Sequence, residues 1–248
     1  IDFMKITVLG CGDAFGSGGR LHTSFLLQSE ACNVMLDCGA TALIGLKTAG
    51  ISPASINVVL ISHFHGDHYP GLAYLLLDLL LHHEPTQKIQ IITPPGGKLL
   101  LIKLLDIIYP GVTEDIMQKL PLEFIVYNQH QEIQLDHLYI KTVPVVHSAA
   151  AKSHGYRLML AGKVVAYSGD TAWTPELTTL ASGADLFICE CNHLTKEDKG
   201  HINYQTLHSK LDELNAKSYL LTHLGEEMLQ NLDKIQLPVA QDGMQLKL

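Results

Sequence analysis

Charge is scarce in this chain. Of 248 residues only 17% are Asp, Glu, Lys or Arg, and 17 basic residues face 25 acidic ones, a formal charge of −8. A general nucleic-acid binder needs surplus Lys and Arg to neutralise phosphate, so transfer RNA is an unlikely partner by charge. Low charge with 47% hydrophobic residues also excludes a disordered chain. No apolar run reaches the roughly 20 residues that span a bilayer. The most apolar segment, Leu72 to Leu81 (LAYLLLDLLL), stops well short and carries Asp78, so no membrane partner is expected.

Cysteine is sparse too. Cys11, Cys32, Cys38, Cys189 and Cys191 make an odd number with no CxxC pair, which argues against a disulfide framework and for a reducing, cytoplasmic setting. Small buried apolar residues are the expected role. No secretory signal, repeat, low-complexity segment or linker is visible. One domain over residues 1–248 is therefore expected, with residues 1–3 read as an appended remnant before a natural start at Met4.

What the chain has in quantity is histidine, 14 in all. Three stand with an aspartate in the stretch VLISHFHGDH, at the end of an apolar β-like run. Further strand-like runs cover Lys5–Leu9, Ser24–Gln28, Asn33–Asp37, Ile89–Ile92, Leu122–Tyr127, Leu138–Val146, Tyr156–Leu160, Lys163–Ser168, Leu186–Cys191 and Ser218–Thr222. Helical patterns cover Ala42–Ala49, Gly71–His83, Gly96–Ile108, Glu176–Ser182 and Tyr204–Leu214. This alternation predicts an α/β layered sandwich.

Four of those runs end in a metal-ligand type: His63, His147, Asp170 and His223. A buried strand delivers the residue at its end to one sheet edge, the usual place for chemistry. In HFHGDH, His63 and His65 can point the same way in an extended turn. After Gly66, Asp67 and His68 can turn elsewhere, which suggests two neighbouring ions. Imidazole with carboxylate suits zinc, with manganese or iron as alternatives. Burying three unpaired imidazoles without a metal would be costly. The lone histidines His82, His83, His130, His137 and His208 read as solvated.

HxHxDH, a distant His, an SGDT Asp and a late TH-x-G His resemble the metallo-β-lactamase superfamily over nearly the whole chain. The resemblance implies an αββα four-layer sandwich with metals at one edge. It implies His63, His65 and His147 for one ion, Asp67, His68 and His223 for the other, and Asp170 as the bridge. The Gly-rich start LGCGDAFGSGGRLHTSFLL and HGYRL after His147-Ser are similar to the ribonuclease Z-like and small cyclic phosphodiesterase branch. On that likeness Glu190 and His201 are the orienting glutamate and the general acid. Their bland alternatives are a strand-end charge and a loop residue before a helix. Arg20 and His22 are candidate substrate contacts, or ordinary loop polarity.

His147 and Asp170 are 23 positions apart, room for a hairpin but not for a transfer-RNA-binding arm. The expected activity is hydrolysis of a small or cyclic phosphodiester, with hydroxide supplied at a two-ion centre, Asp67 orienting it and His201 protonating the leaving group. Open alternatives are another ester class (sulfate ester, lactone or thioester), ribonuclease Z-like RNA processing, and a non-catalytic metal-binding accessory role. Relatives in that branch use the region after the motif to pair, so a homodimer through the Leu72–Leu81 helix is expected.

Overall fold

The computed structural model describes residues 3–84 and 87–248. Ile1 and Asp2 of the expected N-terminal remnant lie outside the described residues, while Phe3 is exposed beneath the Lys247 ammonium.

Among the described residues thirteen strands form two sheets. They are β1 (Lys5–Gly10), β2 (Ser24–Gln28), β3 (Asn33–Leu36), β4 (Val58–Leu60), β5 (Ile89–Thr93), β6 (Leu122–Val126), β7 (Glu132–Gln134), β8 (Leu138–Pro144), β9 (His154–Leu160), β10 (Lys163–Tyr167), β11 (Leu186–Glu190), β12 (Tyr219–Thr222) and β13 (Gln245–Lys247). The first sheet runs β13-β1-β2-β3-β4-β5-β6 and the second β12-β11-β10-β9-β8-β7. Helices α1 (Ala42–Thr48), α2 (Gly71–His82), α3 (Gly97–Ile108) and α4 (Thr113–Lys119) cover the first sheet. Helices α5 (Glu176–Ala181), α6 (Tyr204–Ser209), α7 (Leu211–Leu214) and α8 (Glu226–Leu229) cover the second. The expected αββα sandwich is the observed one.

Strand alternation builds these layers. Phe25 and Leu27 of β2 point between the sheets and Leu26 points to the helices. In β11, Leu186 and Ile188 face the first sheet while Phe187 and Cys189 face the helices. Successive Cβ atoms leave a strand on opposite faces, so apolar residues at consecutive positions fill two interfaces at once. That is why these strands read as unbroken hydrophobic runs.

Strand direction then gathers the site. β10, β11 and β12 are mutually parallel, and β8 is antiparallel to β9, which is antiparallel to β10. The C-terminal ends of β8, β10, β11 and β12 therefore share one edge, which collects His147, Asp170, Glu190 and His223. β3 and β4 are parallel as well, so Asp37 and His63 emerge together from the facing sheet. Between His147 and Asp170, β9 and β10 form the expected hairpin. Its turn, Ala161-Gly162, has positive φ at both residues (49° and 70°), as a two-residue turn of this twist requires.

The apolar helix α2 is mostly core: Leu72, Leu75, Leu76 and Leu79 are buried, and Leu81 and His82 at its C-terminal end are exposed. Its Asp78 is buried too, held by Lys47 at 2.5 Å and by His82 and His83 at 3.2 Å each. All five cysteines are buried and free. Among the described residues no helix is long and apolar enough to cross a membrane.

Candidate metal centre

The loop after β4 carries the four motif ligands, and a glycine contact sets its path. A Cβ on Gly71 would lie 2.0 Å from the Gly39 carbonyl oxygen, so only glycine lets α2 start against the loop after β3. His68 and Cys38 join the two loops, with the Cys38 N–H donating to the His68 carbonyl at 2.7 Å.

Among the described residues two donor clusters share Asp170, one of His63, His65, His147 and Asp170 and the other of Asp67, His68, Asp170 and His223, and a third group, Glu190, His201 and His223, adjoins them. In the first, His147 Nε2 is 3.0 Å from His65 Nδ1 and 3.9 Å from Asp170 Oδ2, and His63 Nε2 is 3.6 Å from that oxygen. In the second, His68 Nε2 is 3.1 Å from Asp67 Oδ2 and 3.2 Å from Asp170 Oδ1. His223 Nε2 is 3.0 Å from Asp67 Oδ2 and 3.3 Å from Asp170 Oδ2. Ligands about 2.0–2.1 Å from a tetrahedral zinc stand roughly 3.3 Å from one another. The spacings fit such an ion in each cluster.

The tautomers fit as well. The Nδ1 atoms of His63, His68 and His147 are taken by Ser62 Oγ (2.9 Å), Asp37 Oδ2 (2.7 Å) and the Gly200 carbonyl (2.7 Å). That leaves each Nε2 for the cluster, the usual outer support of a metal-bound imidazole. Among the described residues, His63 Nε2 and His68 Nε2 are buried with no hydrogen-bond partner.

Charge completes the fit. Burial and the neighbouring imidazoles push His63 well below the ordinary histidine pKa, so it stays neutral. Burial would lower His68 too, but Asp170, Asp67 and Asp37 outweigh it and hold its pKa well above the ordinary value. Burial opposes ionisation of Asp170, yet the surrounding His223 and His68 hold it well below the usual carboxylate range. Three carboxylates packed round one imidazole make a site that favours a cation.

Beside the second cluster stands a dyad. The His201 Nδ1–H donates to the Glu190 carboxylate at 2.8 Å, and the His201 ring stacks on His223, with centroids 5.3 Å apart. Burial would lower the His201 pKa, but Glu190 more than offsets it and the pKa is pushed up to about 9. Glu190, itself buried, accepts from the backbone N–H of Thr171 (2.8 Å), next to Asp170. The strand-end position expected for Glu190 thus places it inside the site.

Arg20 is not brought to the centre. Its guanidinium donates to the Ala240 carbonyl at 3.0 Å and lies 3.5 Å from Cys11 Sγ, tying the N-terminal loop to the C-terminal segment. Both contacts use Nη1 alone, so the expected substrate contact would have to come from the rest of the guanidinium. His22 lies across Gly39 from Asp67: a Cβ on Gly39 would be 2.6 Å from His22 Cβ and 2.1 Å from the Asp67 carbonyl oxygen.

Sequence reasoning passed over Asp37. Its carboxylate accepts from the Ser62 N–H (2.6 Å), Ser62 Oγ (2.7 Å) and Tyr167 OH (2.6 Å), as well as meeting His68. Asp37 also sits at φ 56°, a left-handed conformation that Asp tolerates better than most residues. The signal was available, since Asp37 closes a strand-like run as the other site residues do. Asn192, whose side-chain amide donates to the His223 carbonyl at 3.0 Å, was also missed.

Comparison with known proteins extends this geometry. A protein-family model described as Anti-Pycsar protein Apyc1 matches residues 4–241. The probable metallo-hydrolase YhfI of Bacillus subtilis is 26% identical over 231 residues, covering 89% of this chain and 87% of YhfI. The crystal structure of YhfI, titled a metallo-β-lactamase fold protein, superposes with a TM-score of 0.80 at 22% identity, covering both chains fully. Ribonuclease Z of Mycobacterium marinum is 26% identical over 198 residues, covering 75% of this chain and 69% of that enzyme. A diphosphatase of the PhnP family matches with a TM-score of 0.80 at 20% identity, covering 98% of this chain and 97% of its own. At these identities the structural matches speak for the fold.

Proposed function

The chain belongs to the family described as Anti-Pycsar protein Apyc1 and is a metal-dependent hydrolase of the metallo-β-lactamase fold; from that premise we propose that it cleaves a small or cyclic phosphodiester. The observation that carries this reading is the Glu190–His201 dyad set against two donor clusters that share Asp170. The centre would hold two divalent ions, zinc by preference, with manganese or iron as alternatives.

When bound, such ions supply Lewis acidity and make water a nucleophile at neutral pH. The protein's own groups do the rest. His63, His65 and His147 hold one side of the centre, and Asp67, His68 and His223 the other. Asp67 uses Oδ2 towards His68 and His223, which leaves Oδ1 to accept a hydrogen bond from the attacking water and orient it. His201, protonated at neutral pH by virtue of Glu190, donates its Nε2 proton to the departing alkoxide. Such acid catalysis is worth about 10²–10⁴-fold. The Gly200 carbonyl on His147 keeps the loop that carries His201 in place.

A small substrate is supported by the β9–β10 hairpin, whose two-residue turn fills the interval where a long arm would be inserted, and by the acidic charge balance. The test is turnover of bis-p-nitrophenyl phosphate and of 2′,3′- and 3′,5′-cyclic nucleotides by protein loaded with zinc or manganese. Activity on thioesters or lactones with none on any phosphodiester would overturn the proposal.

A further inference from the structure

The loop that carries His201 has few ties of its own. Its two ends are pinned together where the Tyr204 N–H donates to the His193 carbonyl at 2.8 Å and the Gln205 N–H to the Leu194 carbonyl at 3.1 Å. Between them Thr195, Lys196, Glu197, Asp198 and Lys199 are all exposed. Among the described residues, one hydrogen bond holds this run: the Gly200 N–H donates to Asp198 Oδ1 at 2.8 Å. Exposed backbone without partners opens locally at little cost, so the order of the loop depends on that contact.

The bond stands at the head of a short chain of contacts. Gly200 offers its own carbonyl to the His147 Nδ1–H at 2.7 Å. A Cβ on Gly200 would stand 2.7 Å from His147 Nδ1, so the backbone lies flush on the imidazole and only glycine fits there. The next residue, His201, donates to Glu190 and packs edge-on against His147, with centroids 4.8 Å apart. The other carboxylate oxygen, Asp198 Oδ2, faces His193 Nε2 at 3.7 Å and Lys196 Nζ at 4.0 Å. Exposed pairs at that distance contribute little. Oδ1 therefore carries the structural role, and it does so as an acceptor.

We propose that Asp198 is a positioning residue for the general acid: by holding the Gly200 N–H it fixes Gly200 and His201, so that one loop buttresses His147 and presents His201 to the leaving group. The inference rests on the phosphodiesterase reading. Asp198 touches neither His201 Nε2 nor the donor clusters; it acts through the backbone of Gly200. A reacting group displaced by about 1 Å can cost about 10²-fold in rate. A single bond in an exposed loop thus weighs far more on turnover than on stability.

The experiment compares wild type, Asp198→Ala and Asp198→Asn, all metal-loaded, on 3′,5′-cyclic AMP and on bis-p-nitrophenyl phosphate. Opening the cyclic ester sets free a sugar alkoxide, which needs the His201 proton, whereas p-nitrophenolate is a stable anion and leaves without one. Asp198→Ala should therefore lower kcat about tenfold more on cyclic AMP than on the aryl ester, with KM little changed. Asp198→Asn keeps an oxygen for the Gly200 N–H and should recover most of the loss. The second readout is the proton resonance of the His147 Nδ1–H, which reports its bond to Gly200. It should move in Asp198→Ala and stay in place in Asp198→Asn, whatever the activity. Equal losses on the two esters, an Asn variant as impaired as the Ala variant, or a resonance indifferent to Asp198→Ala would overturn the positioning role. A wild type that hydrolyses no phosphodiester, while Asp198→Ala still moves the resonance, would overturn the proposed function and leave the tether standing.

Discussion

Asp37→Asn separates charge from backbone at the site. Asn tolerates the left-handed conformation at φ 56° about as well as Asp, so the change alters only the head group. The native carboxylate receives bonds from the Ser62 N–H, Ser62 Oγ, His68 Nδ1 and Tyr167 OH, all at 2.6–2.7 Å and all buried. An amide has one oxygen to offer, and its NH₂ would face donors. Three of the four bonds reach Oδ2 and one, from the Ser62 N–H, reaches Oδ1. An amide oxygen in the Oδ2 place leaves that N–H facing an NH₂ and removes charge assistance from the other three, which together cost about 3 kcal/mol. For a domain of this size that is roughly 6–12 °C in Tm.

The variant also releases His68 Nδ1, and outer-shell changes of this kind weaken metal binding about 10–100-fold. Thermal melts of chelator-treated protein isolate the first effect, and metal content after dialysis against a graded chelator isolates the second. A metal-free Tm within about 2 °C of wild type, with full metal retained, would refute the account of Asp37 as the hub of the site.

The other predictions concern the dyad, the loop contact, the buried carboxylate and the assembly. His201→Ala should lower kcat about 10²–10⁴-fold with both ions retained by elemental analysis; unchanged turnover would support a carrier role. Glu190→Gln should shift the alkaline limb of the kcat profile to lower pH, because Glu190 is what raises His201 to about 9. A limb that stays put would separate Glu190 from the acid. Gly71→Ala places a methyl against the Gly39 and Cys38 carbonyls and should cost about 1–3 kcal/mol in chemical denaturation, with loss of metal. Asp78 has its pKa held down by Lys47 against the effect of burial. Its contribution is thus full above the unfolded carboxyl pKa of about 4 and fades as pH falls through the lower folded value. Because Lys47 is half-exposed, Asp78→Asn should cost only about 1 kcal/mol at neutral pH and less in acid; a gap independent of pH would exclude the ion pair as its cause. Light scattering should return a homodimer, for which exposed Ile44, Leu81 and Ile107 on the outer helices offer apolar surface. A monomer of 27.2 kDa would end that idea.

Long buried strands and the ligand motif were legible in the sequence because an apolar run must be buried and clustered imidazole is costly to bury without a metal. The elements that were missed depend on distant partners or on short signals. β7 has only Ile133 buried, between two exposed polar residues. β13 has no buried residue and exists because it pairs with β1, about 240 positions away. α4 carried its own marks, Glu114 and Asp115 in the first turn and Lys119 in the last, and could have been found. The pattern over Tyr204–Leu214 reads as one helix but breaks at Lys210 into two. Within the site, no local pattern could show that Arg20 turns to the Ala240 carbonyl. That contact joins residues 220 positions apart.

The ligands divide between the two sheets: His63, His65, Asp67 and His68 come after β4 of the first, and His147, Asp170 and His223 come after strands of the second. Neither sheet can assemble a complete coordination sphere alone. During synthesis the early histidines must wait, partnerless, until His223 has been made and the second sheet has docked. On the proposed two-ion reading, completing the coordination would be a terminal event, and the ions would act as a clasp across the open end of the sandwich. Substitutions deep between the sheets, far from any ligand, should consequently register as faster metal loss before they register as unfolding.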